Sequence, residues 1–169
     1  MPGQAFMTLF EKRFNGRQRV YIEHNGCSRR ALDARKFENY FRANGLLVTK
    51  NPRWADHILF VSCAFRKIEE DHAIKRIQAL SRYRAKLIVA GCLKGINEKR
   101  LRENFQGFAF ASSNNENIDM LFPDFKIKFQ DMPDCNVLYP RDKLQSISQY
   151  FFAIRPDFSY FRRLKVCLE

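Results

Sequence analysis

Three cysteines stand where short hydrophobic runs end, in Tyr21-Ile-Glu-His-Asn-Gly-Cys27, Ile58-Leu-Phe-Val-Ser-Cys63 and Leu87-Ile-Val-Ala-Gly-Cys92. Roughly thirty residues separate each from the next, too far for a local metal knuckle, whose cysteines come in close pairs. In an open parallel sheet, however, ligands bind where the loops leave the carboxyl ends of the strands. One thiol delivered per strand would meet the others at that edge. Such a set suits an iron–sulfur cluster, which needs thiolate ligands. Three thiolates would leave one of its irons open, by the logic that gives catalytic zinc a vacant position. The competing reading is that small apolar cysteines fill gaps at strand ends.

The neighbours of the thiols fit an anionic group. Gly26 and Gly91 permit close backbone approach. Arg29, Arg30, Arg66, Lys67 and Lys94 follow the cysteines closely, and positive charge favours thiolate. His24 is near enough to Cys27 to serve as a surface or supporting group, while His57 and His72 read as structural. Cys135 reads as an ordinary exposed or half-buried thiol, with a fourth-ligand role the lesser alternative. Cys167 alternates with Leu164 and Val166 as a buried strand residue would.

The elements that must position these groups alternate in type. Strands are expected at 19–23, 46–49, 57–61, 87–90 and 108–111, with helices at about 31–44, 69–84 and 97–104, and a last short one at 116–122. This alternation predicts an α/β fold with a parallel, doubly wound sheet. Strand runs without polar alternation agree with cover on both faces. The preferred topology is a flavodoxin-like, open, five-stranded sheet in the order 2-1-3-4-5, which makes the three cysteine-bearing strands neighbours. Residues 1–18 read as a flexible lead-in and 19–122 as the α/β domain. Residues 123–169 read as an irregular linker leading to a further domain. The run 150–163 interleaves rings with arginines, either to pack on that domain or to stack bases. The closing 164–168 resembles the start of a strand, which predicts a fragment of a longer protein.

The chain has 169 residues, a net charge of +12 and five cysteines. An odd count fits poorly with a closed disulfide framework. No apolar stretch approaches the roughly 20 residues of a membrane span, and no signal segment opens the chain. The expectation is a cytoplasmic protein without membrane contact, whose thiols stay reduced. The charge favours a polyanionic partner, RNA foremost. Phosphate-loop, dinucleotide, nucleophile-elbow and zinc-protease signatures are missing.

Taken together, Tyr-Ile-Glu-x-x-Gly-Cys, Cys63-Ala-Phe-Arg66 and Ile88-Val-Ala-Gly-Cys92 resemble the N-terminal domain of the radical SAM methylthiotransferases, over about residues 19–122. The resemblance implies a flavodoxin-like unit whose Cys27, Cys63 and Cys92 hold an auxiliary [4Fe–4S] cluster. Gly26, Arg29, Arg30, Asp33, Arg66, Gly91 and Lys94 would surround the cluster or the substrate. Asp33, Arg66 and the Ala55-Asp56 pair match family positions. The family methylthiolates a modified adenosine of tRNA, or an aspartate of a ribosomal protein. It does so with S-adenosylmethionine cleaved by a second cluster in a following radical SAM domain.

Some positions depart from the family pattern. Ser28-Arg29-Arg30 stands for Gln-Met-Asn, Val61-Ser62 for Asn-Thr, and Gly95 for Gln. The Cys-x-x-x-Cys-x-x-Cys motif of the radical-generating cluster is absent, so this chain is not expected to cleave S-adenosylmethionine alone. The expected function is sulfur presentation for methylthiolation, with tRNA favoured as the partner. The alternative is an RNA- or protein-binding module that has lost its cluster, and a redox or zinc-binding domain stands third.

Overall fold

The computed structural model describes residues 17–135. Five parallel strands form one sheet in the order β2-β1-β3-β4-β5. They are β1 (Arg19–His24), β2 (Leu47–Thr49), β3 (His57–Ser62), β4 (Lys86–Gly91) and β5 (Phe108–Ala111). The order is the flavodoxin-like one preferred from the sequence. The central strand β3 reads Ile58-Leu-Phe-Val61, apolar at every position, because both of its faces are covered. Ile58 and Phe60 pack on one side, Leu59 and Val61 on the other, and all four are essentially inaccessible to solvent.

Helix α1 (Ser28–Ala43) covers one face through Ala34, Phe37, Tyr40 and Phe41. Helices α2 (Lys67–Leu80), α3 (Cys92–Ile96) and α4 (Glu98–Asn104) supply Ala73, Ile77, Leu80, Leu93 and Leu101 to the other. Each fully buried aliphatic or aromatic side chain contributes roughly 1.5–3 kcal/mol.

Several boundaries differ from those expected. Helix α1 begins at Ser28 rather than Ala31, with Cys27 itself as the N-cap residue. Helix α2 runs from Lys67 to Leu80 rather than from Glu69 to Arg84. The Ser81 hydroxyl bonds the Ile77 carbonyl at 2.8 Å, and turns follow. The one-turn α3 was not expected from the sequence. The segment expected as a short helix at 116–122 is a kinked 3-10 stretch over Ser112–Met120.

From Pro123 to Cys135 the described residues form no long regular element, yet their aromatic side chains are anchored. The Phe129 ring centre lies 4.7 Å from that of Phe37, tilted, and 5.6 Å from that of Tyr40, edge-on. Asp119 Oδ1 accepts the Tyr40 hydroxyl at 2.7 Å, and Asp119 Oδ2 accepts the backbone N–H of Phe129 at 3.1 Å. Phe122, Phe125 and Met132 join the same cluster. The lead-in up to residue 16, the ring-and-arginine run at 150–163, and the closing strand with Cys167 lie outside the described residues.

Candidate metal centre

Strand order brings the ends of β1, β3 and β4 side by side. In register, His24 faces Val61, and Ser62 faces Gly91. Cys27, Cys63 and Cys92 therefore leave the same edge of the sheet from three adjacent strands. All three are free thiols: Cys27 is exposed, Cys92 half-buried and Cys63 only 2% exposed.

Two glycines hold these turns together. Gly26 has φ +97°, and a Cβ there would stand 2.4 Å from the Cys63 Cβ and 2.8 Å from its sulfur. The turn carrying Cys27 thus lies directly on Cys63. Gly91 has φ +103°, and a Cβ there would stand 2.3 Å from the Ser62 carbonyl oxygen. Only glycine fits either place, through conformation and through space.

Two polar residues lock the same edge; the sequence reading named Ser62 only as a departure from the family pattern and did not single out Asn25. The Asn25 backbone N–H donates to the Val61 carbonyl at 3.2 Å. Its side-chain oxygen accepts the backbone N–H of Cys63 at 2.8 Å, and its amide nitrogen donates to the Glu69 carbonyl at 3.0 Å. Asn25 therefore ties β1, the β3 turn and the first turn of α2 into one unit. Ser62 is fully buried. Its hydroxyl donates to the Ala90 carbonyl at 2.7 Å and accepts the Leu93 N–H at 3.4 Å, closing β3 on β4 and on the start of α3. The signal was available for Ser62, since it keeps the hydroxyl of the family's threonine. Asn25 carried none beyond its place in an Asn-Gly turn.

The basic residues that follow the thiols are mostly matched by acids. Arg66 pairs with Glu69, Lys67 with Asp71 at 3.0 Å, and Lys94 with Glu98. Arg29 is exposed. Arg30 is buried, with its Nη2 2.9 Å from Asp33 Oδ2. Burial pushes the Asp33 carboxyl above its ordinary range, against the pull of the Arg30 charge. His24 is exposed at the end of β1. Cys135 sits apart from the three thiols, against α1: Asn39 Nδ2 is 3.7 Å from its sulfur, and burial pushes its thiol upward. Among the described residues, no group of three or more His, Cys, Asp or Glu side chains could hold a metal ion.

Residues 19–111, more than half of the chain, match the model of the family described as "Uncharacterized protein family UPF0004". The chain belongs to that family. That family is the N-terminal domain of the methylthiotransferases, the one that the three cysteine blocks resemble. Among curated proteins, the chain is similar to the ribosomal protein uS12 methylthiotransferase RimO of Desulfosudis oleivorans. Identity is 34% over 80 residues, covering 44% of this chain and 18% of the relative. It is also similar to a probable threonylcarbamoyladenosine tRNA methylthiotransferase of Methanocaldococcus jannaschii, at 32% over 90 residues, covering 53% and 20%. The threonylcarbamoyladenosine tRNA methylthiotransferase of Homo sapiens is 31% identical over 78 residues, covering 46% and 14%. The matched part thus spans about a fifth or less of these relatives. No helix among the described residues is long and apolar enough to cross a membrane.

Proposed function

We propose that this methylthiotransferase N-terminal domain holds an auxiliary [4Fe–4S] cluster through Cys27, Cys63 and Cys92, and takes part in methylthiolation of tRNA. The observation that carries the reading is the delivery of three free thiols to one sheet edge by neighbouring strands. The donor set fits the group, because thiolate is the ordinary ligand of such clusters. Thiolates on a cluster each bind a different iron, so they stand wider apart than donors around a single ion. Glycines at 26 and 91 let the Cys27 and Cys92 turns pack directly on Cys63 and Ser62, which keeps the three cysteine-bearing turns together.

When bound, a cluster with three protein thiolates supplies an open iron from which sulfur can be presented. The chain's own residues do the positioning. Asn25 and the Cys63 N–H fix the buried thiol, Ser62 fixes the turn before Cys92, and the start of α1 sets Cys27 at the exposed rim.

Residues 1–18 are a lead-in in this reading, 19–122 the cluster domain, and 123–169 the connection to a radical SAM domain that uses S-adenosylmethionine. Phe65 at 82% exposure, with Ile68 and Ile96, gives the thiol edge apolar surface that this following domain would cover. The net charge of +12 favours tRNA over a ribosomal protein as substrate, and a cytoplasmic setting suits both. Reconstitution under anaerobic conditions tests the reading: Cys63→Ala should lose the brown absorption that the unaltered protein gains. An equal spectrum in both proteins would contradict it, and the competing cluster-free RNA module would then lead.

A further inference from the structure

Helix α1 starts in a way that ordinary helices avoid. No side chain caps it at Cys27, and no acidic residue stands in its first turn. Arg29 and Arg30 stand there instead, at the end where the helix dipole is already positive and cations are unfavourable. The leading N–H groups of a helix have no partners within it, and an N-terminus of this kind accepts anions.

Arg30 adds a second, independent observation. It is only 4% exposed, and its Nε and Nη1 are buried without a hydrogen-bond partner. Asp33 engages Nη2 alone. Leaving donors of a buried charged group unpaired is costly. Arg30 lies in the first turn of α1, three residues after Cys27, and its backbone N–H bonds the Cys27 carbonyl at 3.0 Å. It precedes Ala34, Phe37 and Phe41 on the stripe of α1 that faces the sheet.

We propose that the buried Arg30, at the N-terminus of α1, forms a position for a small anion beside Cys27. The forked donors suit an anion with exposed lone pairs. Two sources offer that chemistry: a sulfur atom of a cluster held by the three thiols, or a phosphate group. The first source rests on the cluster reading above; the position itself does not.

The probe is inorganic phosphate, titrated at constant ionic strength into the metal-free protein and followed by its thermal unfolding midpoint. Arg30→Met keeps the stem and removes the donors. Arg30→Lys keeps the charge without the fork, and serves if the methionine variant does not fold. The unaltered protein should be stabilised by phosphate, with the apparent affinity about tenfold weaker in Arg30→Met, the loss of one charge-assisted bond. The same pair is then reconstituted with iron and sulfide. If a cluster sulfur is the occupant, loading abolishes the phosphate response, and Arg30→Met shifts the reduction potential to more negative values, because hydrogen bonds to the sulfurs help to set it. If the phosphate response survives loading, a free phosphate group is the occupant. Failure to take up iron, with an Arg30-dependent phosphate response, would remove the cluster reading and leave the anion position standing. An absent or equal phosphate response in both proteins, without any Arg30-dependent change in potential, would overturn it. Arg30 would then be a structural partner of Asp33 only.

Discussion

The side-chain oxygen of Asn25 accepts the backbone N–H of Cys63 at 2.8 Å, across 38 positions of sequence. This bond sets the most buried of the three thiols on the end of β1, so the site depends on it before any ligand arrives. Asn25→Ala would leave that buried N–H unsatisfied, a loss of about 1–3 kcal/mol. Urea unfolding of the metal-free protein measures it, and an unchanged midpoint would show that the bond is dispensable.

Gly26 and Gly45 share a positive φ, +97° and +87°, but only Gly26 lies against another residue. A Cβ at Gly45 meets nothing within 4 Å, so Gly45→Ala should cost only the conformational strain, about 1 kcal/mol. Gly26→Ala adds a clash with Cys63 and should cost at least about 1–3 kcal/mol more. The difference between the two substitutions isolates the contact from the backbone conformation. Equal losses would mean that the Cys27 turn moves aside freely.

Phe129 lies beyond Pro123 yet is 5% exposed and packed on Phe37 and Tyr40. Phe129→Ala should therefore destabilise the domain by about 3–5 kcal/mol, as for a core ring. Tyr40→Phe should cost less, about 0.5–1.5 kcal/mol, because Asp119 keeps its bond to the Phe129 N–H. A loss within about 0.5 kcal/mol for Phe129→Ala, measured by thermal unfolding, would show that the segment contributes nothing to the core.

The pair Glu23–Arg76 links β1 to α2, with Nη2 to Oε2 at 2.8 Å, and Tyr21 donates to the same carboxylate at 2.7 Å. Burial alone would raise the Glu23 pKa, but the hydrogen bonds from Arg76 and Tyr21 and the Arg76 charge hold it below its ordinary 4.5. The unfolded chain thus binds the proton more readily. This contribution to stability is present above about pH 4.5 and is lost as the pH falls further. The Tyr21 phenol is pushed up to about 12 by burial first and then by Glu23, so its contribution is lost as the pH rises from about 10 toward 12. Glu23→Gln should flatten the acid limb of stability against pH, and Tyr21→Phe the alkaline limb. Limbs identical to those of the unaltered protein would refute the assignment.

Much of this architecture was legible in the chain. Apolar runs without alternation marked buried parallel strands, and alternation with helices marked a doubly wound sheet, for which the order found was the preferred one. The convergence of Cys27, Cys63 and Cys92 on one edge came with that order. What escaped had physical reasons. Helix α1 starts three residues early because a cysteine, which is no capping residue by composition, occupies its N-cap. Helix α3 is five residues long and contains Gly95, too short for any period to show. Charges near the thiols were read as a positive field, yet Glu69, Asp71 and Glu98 answer most of them one turn onward. Arg30 was named among the residues around the thiols, but its burial was not foreseen, because arginine is almost never fully buried. Its role depends on a fold that closes over it.

Iron and acid-labile sulfide content after anaerobic reconstitution tests the central claim most directly. The account predicts about four irons per chain, lost when any one of Cys27, Cys63 or Cys92 is replaced by alanine and retained in Cys135→Ala. Iron that never binds, or that survives replacement of all three cysteines, would contradict it.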